Sequence, residues 1–309
     1  MQSGFIFPGQ GSQRPGMGKD IYDSFPEAEE VYKKASGIVG WDVAELSFDA
    51  DKETLSQTQY TQVCLYTHSW ALMESLGNRA QYDAVAGHSL GEYAALAAAM
   101  VFPWEKGLEA VAVRGQLMSQ AKDGAMAAPL GAKLPVVQDV VTSLQDDGVI
   151  DIVNYNAPGQ YIISGEPSLV RRAGAMLMER DVRKVIFLPV SGAFHTSLMD
   201  EASAEMKHII SGMEFKAPNV AYFSNVSGDA ESDPRRIKEL LIKQMTSPVR
   251  WMDIVERMSE AGVGSFYEIG SGKVLSDLVK RILPKEKITH FQPLGTLESI
   301  EMYIKESLL

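Results

Sequence analysis

Residues Gly87-His88-Ser89-Leu90-Gly91 follow an apolar run, Ala84-Val85-Ala86, and precede a helix-forming stretch, Glu92-Tyr93-Ala94-Ala95-Leu96-Ala97. This is G-x-S-x-G between a strand and a helix, the layout of a nucleophile elbow. A Cβ at either glycine would crowd the strand or the helix. The Ser89 hydroxyl then stands at the tip of the turn, and the helix N-terminus behind it favours developing negative charge. The chemistry implied is attack on an acyl carbon and a serine ester. The five residues alone also fit a tight turn whose serine only caps the helix; the flanking strand and helix favour the nucleophile.

A serine nucleophile needs a base within hydrogen-bond reach. The chain has five histidines: His68, His88, His195, His208 and His290. His68 and His208 fall inside helical patterns among surface-like residues, where a solvated or packed imidazole is expected. His88 adjoins the nucleophile, but a strained turn sends neighbouring side chains apart, so it reads as support for the elbow. His290 lies in a short strand near the end of the chain. His195 follows an expected strand and the small-residue turn Ser191-Gly192-Ala193, where α/β sheets place functional groups. It is the candidate base.

An oxyanion would take the N–H of Leu90, the residue after the nucleophile, and a second donor from another loop. Gln10, in the turn-rich loop Gly9-Gln10-Gly11-Ser12-Gln13, is the candidate; an ordinary glycine turn is the competing reading. Arg114 borders the apolar stripe of a helix carrying Trp104, Leu108, Val111 and Met118, so its charge needs a partner. A structural salt bridge and a bidentate grip on a substrate carboxylate both remain open.

The surrounding pattern alternates strands and helices. Strands are expected at 4–8, 82–86, 220–224, 265–269 and 288–291. Helices are expected near 20–38, 59–76, 91–99, 103–121, 197–211, 234–245, 249–261 and 273–283. Between them, residues 125–131, 136–144, 150–154, 161–164, 168–180 and 184–190 read β-α-β-β-α-β, the ferredoxin-like order. The expected architecture is α/β, with a mainly parallel sheet covered on both faces and an inserted ferredoxin-like small subdomain. Residues 1–123 and 191–309 would form the large subdomain and 124–190 the small one.

The 309 residues are 45% apolar and 22% charged, with net charge −11, which argues against nucleic acid as a partner. Cys64 is the only cysteine, so neither a disulfide nor a cysteine metal cluster is expected. The chain enters Phe5-Ile6-Phe7 without a signal-like segment. The apolar run Tyr93 to Phe102 is too short for a bilayer and reads as a buried helix. A cytoplasmic protein without membrane association is expected.

These residues resemble the malonyl-CoA:acyl-carrier-protein transacylases nearly end to end. The resemblance rests on Phe7-Pro8-Gly9-Gln10-Gly11-Ser12-Gln13, on Gly87-His88-Ser89-Leu90-Gly91-Glu92-Tyr93 and on Arg114-Gly115. It continues through Gly124-Ala125-Met126-Ala127-Ala128, Asn154-Tyr155-Asn156-Ala157-Pro158-Gly159-Gln160, Gly192-Ala193-Phe194-His195 and Gln244 with Pro248-Val249. It closes on Tyr267-Glu268-Ile269-Gly270 and Gly272-Lys273-Val274-Leu275.

The resemblance implies a Ser–His dyad of Ser89 and His195, with a backbone carbonyl at Gln244 orienting the histidine. It implies oxyanion donors at Gln10 and Leu90, Arg114 on the malonyl carboxylate, and Phe194 and Asn156 among the substrate-binding residues. Phe194 matches the malonyl-selective pattern. An α/β-hydrolase-like fold with a ferredoxin-like insertion, a monomer, and no metal or organic cofactor are implied too.

Malonyl-CoA is the implied donor and the phosphopantetheine thiol of acyl carrier protein the acceptor, in fatty acid synthesis. A trans-acting polyketide-synthase acyltransferase would share the chemistry. An acyl hydrolase would use the same dyad without needing Arg114, and a non-catalytic carrier-docking protein would need neither. Because the chain is acidic, binding an acidic carrier would need a local basic patch. Arg183 with Lys184, Lys273, and Lys280 with Arg281 are candidates. Pro129 departs from the family pattern, and its missing N–H suggests a sheet edge or a bulge.

Overall fold

The computed structural model describes residues 2–180 and 182–306. The chain opens with β1 (Gln2–Phe7) and the helices α1 (Lys19–Ser24), α2 (Pro26–Val39), α3 (Val43–Phe48), α4 (Lys52–Leu55) and α5 (Thr58–Leu76). Next come β2 (Ala84–Gly87), α6 (Gly91–Ala98) and α7 (Trp104–Gln120). A middle stretch holds β3 (Ala125–Leu130), α8 (Leu134–Thr142), β4 (Ile150–Ala157), β5 (Gln160–Gly165), α9 (Pro167–Met178) and β6 (Lys184–Phe187). The chain continues through α10 (Asp200–Gly212), β7 (Ala221–Phe223), β8 (Ala230–Glu231), α11 (Pro234–Lys243) and α12 (Trp251–Glu260). It ends with β9 (Val263–Ile269), α13 (Val274–Ile282), β10 (His290–Leu294) and α14 (Leu297–Glu306).

Six strands form one sheet in the order β10-β9-β1-β2-β7-β8. All pairs are parallel except β7 with β8. The period-2 pleat divides β1 between two cores. Phe5 and Phe7 enter one with α2, α5, α6 and α7, while Ile6 enters the other with α12 and α13. Burial on both faces explains why these strands read as short apolar runs rather than as alternation. The middle stretch forms a separate antiparallel sheet, β4-β5-β3-β6, the ferredoxin-like order. Valines and leucines of α8 and α9 pack on one face of it.

Several expectations are corrected. The helix expected over 20–38 is two helices, broken at Phe25 because Pro26 forces the residue before it into extended backbone. The strand expected over 184–190 stops at Phe187, and the last strand runs 290–294 rather than 288–291. Pro129 is neither at an edge nor in a bulge. It lies in β3, which has neighbours on both sides, and its ladder with β5 has no partners at Ala128 and Pro129, so the missing N–H falls in that gap. His68 is fully buried within α5, so the packed imidazole, not the solvated one, is correct. Helices α3, α4 and α14 and strand β8 had no counterpart in the sequence pattern. Lys273 and Lys280 both lie within ion-pair distance of Asp277, and Lys280 also covers the Phe291 ring.

The parallel register carries three functional loops to the same end of adjacent strands. The loop after β1 holds Gln10, the turn after β2 holds Ser89, and the segment after β7 holds Asn225. The turn closes only because two side chains are missing. A Cβ on Gly91 would lie 2.0 Å from the Phe7 carbonyl oxygen, and one on Gly87 would lie 2.0 Å from the Gly91 backbone. Gly91→Ala should therefore unfold the elbow and lower stability by roughly 3 kcal/mol or more. Gly37→Ala, at an exposed helical site where a Cβ meets nothing within 4 Å, should raise it by about 0.5–1 kcal/mol. Urea titrations of the two variants test both signs.

Candidate active site

Ser89 has φ of 50°, a left-handed conformation that a residue with a Cβ adopts only under constraint. Two distant side chains supply that constraint. The Ser89 N–H donates to Asn225 Oδ1 at 2.7 Å, and Gln244 Nε2 donates to the Ser89 carbonyl at 2.7 Å. Asn225 also donates to the Gly87 carbonyl at 2.6 Å, so one amide spans the turn. His195 is a second left-handed residue, φ 66°, with its N–H donating to the Met245 carbonyl.

The histidine tautomer follows from its partners. His195 Nδ1 lies 2.9 Å from the Gln244 main-chain oxygen, which can only accept, so Nδ1 carries the proton. Nε2 is then the acceptor for the Ser89 hydroxyl, 2.9 Å away. Burial first, and the Arg114 charge second, pull the His195 pKa down to about 3. The imidazole is therefore a neutral base throughout the physiological range.

Arg114 is 1% exposed. Its Nη1 donates to Gln62 Oε1 at 2.8 Å, and its Nη2 donates to Ser89 Oγ at 2.9 Å and to Gln244 Oε1 at 3.0 Å. The Tyr93 ring lies 5.7 Å from the guanidinium carbon. No acidic side chain bonds to it among the described residues, and its Nε–H is buried without a partner. A structural salt bridge, one of the two readings left open by the sequence, is thus absent. Burial lowers the Arg114 pKa from its ordinary value, and the guanidinium remains charged.

A cavity of about 200 Å³ opens over Ser89. Gln10, Leu90, Arg114, Asn156, Phe194 and His195 all line it, together with Met118, Met126, Ile162, Leu188 and Val190. The main-chain N–H groups of Gln10 and Leu90 donate to no protein acceptor among the described residues. Asn156 bonds His88 through Oδ1 at 2.8 Å, so His88 does brace the elbow, from the side of β4. Gln244 lies behind the cavity, 1% exposed. Four members of the polar network had not been picked out as site residues. They are Gln62, Glu92, Tyr222 and Asn225; only Glu92 stood within a quoted motif, and Gln62 was marked only by being polar in a helix buried nearly all round. Histidine, cysteine and acidic side chains form no cluster able to hold a metal among the described residues. No helix there is long and apolar enough to cross a membrane.

Comparison with known proteins places this geometry. The acyl transferase domain family matches residues 4–300. A malonyl CoA-acyl carrier protein transacylase of Staphylococcus aureus is 38% identical over 304 residues, covering 97% of each chain. Its Bacillus subtilis counterpart is 37% identical over 307 residues, 98% of this chain and 97% of that one. The polyketide biosynthesis protein ThaF of Burkholderia thailandensis is 41% identical over 284 residues; the match spans 91% of this chain but only 24% of that protein. Among solved structures, an acyl carrier protein S-malonyltransferase of Vibrio cholerae superposes with a TM-score of 0.93 at 36% identity, covering 98% of this chain and 99% of that one. A malonyl-transacylase in complex with a type II polyketide acyl-carrier protein superposes with a TM-score of 0.93 at 32% identity, over 99% and 100% of the two chains. A serine elbow on a parallel sheet, a ferredoxin-like insertion and full-length identity above 30% agree: the chain belongs to the acyl transferase family, among the malonyl-CoA:acyl carrier protein transacylases.

Proposed function

We propose that this chain moves a malonyl group from malonyl-CoA to the phosphopantetheine thiol of acyl carrier protein through an ester on Ser89. The observation that carries this reading is Ser89 Oγ held between a neutral imidazole and a buried guanidinium that has a donor to spare.

In the first half-reaction His195 Nε2 takes the Ser89 proton as Oγ attacks the thioester carbon. The oxyanion takes the free N–H groups of Leu90 and Gln10, each worth roughly 2.7–4 kcal/mol in acyl-transfer sites. The C–S bond breaks, and the coenzyme A sulfur leaves with the proton from His195. In the second half the carrier thiol gives its proton to His195 and its sulfur attacks the ester carbon. The C–Oγ bond breaks, and Ser89 recovers its proton. The reading assigns every step to side chains and N–H groups of this chain and to the two thiol substrates.

Arg114 supplies the selection. An acyl group ending in a carboxylate satisfies the orphaned Nε–H and offsets the buried charge, whereas acetyl leaves both uncompensated. Phe194 and Asn156 bound the same cavity and limit the acyl group in size. Both fatty acid and polyketide carriers fit this chemistry, since relatives of either kind are similar to the chain. A loading assay against one purified carrier of each class separates the two.

Intact-protein mass spectrometry after mixing with malonyl-CoA should show one malonyl adduct on the wild type and none on Ser89→Ala; an adduct surviving in that variant excludes Ser89. Arg114→Ala should lower malonyl loading by about 100-fold or more while acetyl loading holds or rises, because the lost contact is to the carboxylate. Equal losses with both donors would remove the selector role.

The depressed His195 pKa gives a pH signature. Adduct formation should stay flat from about pH 8 down to about pH 5 and show no midpoint near the ordinary histidine value. The unfolded chain protonates this histidine near 6.5 and the folded chain only near 3. Its contribution to stability is therefore complete above pH 6.5 and is lost as the pH falls toward 3. By about pH 5 that loss is roughly 2 kcal/mol, and the isosteric His195→Gln should lack this part of the acid destabilisation. Urea melts of both proteins at neutral pH and at about pH 5 measure the difference.

A further inference from the structure

Glu92 is the first acidic residue after the nucleophile and is 1% exposed inside an alanine-rich helix. A carboxylate there must be held by donors, or burial would cost more stability than a domain can spare. Oε1 accepts from the Tyr222 hydroxyl at 2.5 Å and from the Asn225 N–H at 2.8 Å. Oε2 accepts from Gln244 Nε2 at 2.6 Å. Burial pushes the Glu92 pKa up, and these bonds offset only part of that rise.

The Gln244 amide therefore stands between the buried acid and the buried cation. Its NH₂ faces Glu92 and the Ser89 carbonyl, and its oxygen faces Arg114 Nη2. An amide can be turned either way, and neighbours decide which. Arg114 would accept only the oxygen, and Glu92 only the NH₂, so the two charges fix one orientation together. The main chain of the same residue holds the His195 tautomer. Seen from Arg114, the counter-charge is one amide away instead of in contact.

We propose that Glu92 is a positioning residue that sets acyl specificity: through the Gln244 amide it holds Arg114 in place while leaving the guanidinium open to the acyl carboxylate. The proposal rests on Arg114 reading that carboxylate. An acid placed directly on Arg114 would occupy the site intended for substrate, and no acid at all would leave a buried guanidinium without long-range compensation. The amide relay avoids both.

Glu92→Gln separates this from a merely structural role. The Asn225 N–H is an obligatory donor, so the new amide must present its oxygen there and its NH₂ toward Gln244. Two NH₂ groups then oppose each other. Gln244 must turn over, which aims its own NH₂ at Arg114 and releases the Ser89 carbonyl.

The readout is single-turnover formation of the Ser89 adduct with malonyl-CoA and with acetyl-CoA, as the ratio of the two kcat/KM values. In Glu92→Gln that ratio should fall by about tenfold or more, mostly through a raised KM for malonyl-CoA. Gln244→Met keeps the main-chain carbonyl for His195 and cuts the relay together with the Nε2 bond to the Ser89 carbonyl; that second loss is common to both donors, so the ratio should still fall even if Glu92→Gln does not fold. A parallel loss with both donors, or an unchanged ratio in a folded variant, overturns the proposal. Arg114→Ala run alongside distinguishes the two levels. If it lowers the ratio while Glu92→Gln and Gln244→Met do not, only the relay fails; if it leaves the ratio unchanged, the carboxylate reading itself fails.

Discussion

One buried positive charge organises this molecule. Arg114 is out of water, yet the oxygens it contacts are amide and hydroxyl oxygens: Gln62, Gln244 and Ser89. Taking a guanidinium out of water is expensive unless its donors are met. Three of its five N–H donors are met by neutral groups, which satisfies geometry without cancelling charge. The residual field reaches His195, where it adds to burial in keeping the imidazole neutral. The same cation that selects an anionic acyl group under the proposed function thus also keeps the base unprotonated. A salt bridge to Arg114 would have blocked the first effect and weakened the second, leaving burial to hold the imidazole neutral.

The elbow supplies the second constraint, and it is steric. β1, β2 and α6 approach so closely that glycine is required at 87 and 91. Once the turn is that tight, Ser89 is forced into left-handed backbone, and the strain must be held from elsewhere. Asn225 after β7 and Gln244 after α11 do this, both from chain more than a hundred residues away. The nucleophile is therefore positioned by tertiary structure, and its geometry depends on the parallel register of β1, β2 and β7.

This division explains what could be read from the residues in order. Ser89, Leu90 and the glycines form a local signal, because turn chemistry is set by neighbours in the chain. His195 was reachable because it follows a strand and a small-residue turn. The element order of the small subdomain, β-α-β-β-α-β, was legible from its apolar runs, helix periodicity and the turn at Ala157-Pro158-Gly159. Glu92, Asn225, Gln62 and Tyr222 were not, since their partners lie tens to more than a hundred residues off and each alone looks like any polar side chain. The single-turn helix α4 and the short α3 lack the length over which periodicity shows. Arg114 lay between: its stripe position demanded a partner, but only the fold reveals that the partners are neutral.

The two subdomains meet at the cavity, and they contribute different things to it. The small sheet is fastened to the large subdomain by main-chain bonds to the segment before α12, Tyr155 N–H to the Val249 carbonyl and Val249 N–H to the Val153 carbonyl. Asn156, the residue after Tyr155 in β4, reaches His88. The small subdomain then gives Met126 and Ile162, and the connection after β6 gives Leu188 and Val190; the large subdomain gives Ser89, Leu90, Gln10 and Arg114. Arg114 is the one formally charged residue among the residues lining the cavity, since both histidines are held toward their neutral forms. Under the proposed function an acyl group with an acidic terminus meets its one counter-charge in the cavity at Arg114. In the same reading its carbonyl oxygen would take the two free N–H groups of Gln10 and Leu90, beside Ser89 Oγ. Under the proposed function, charge at one end and donors at the other orient the substrate before any proton moves, which is the arrangement that converts binding into rate.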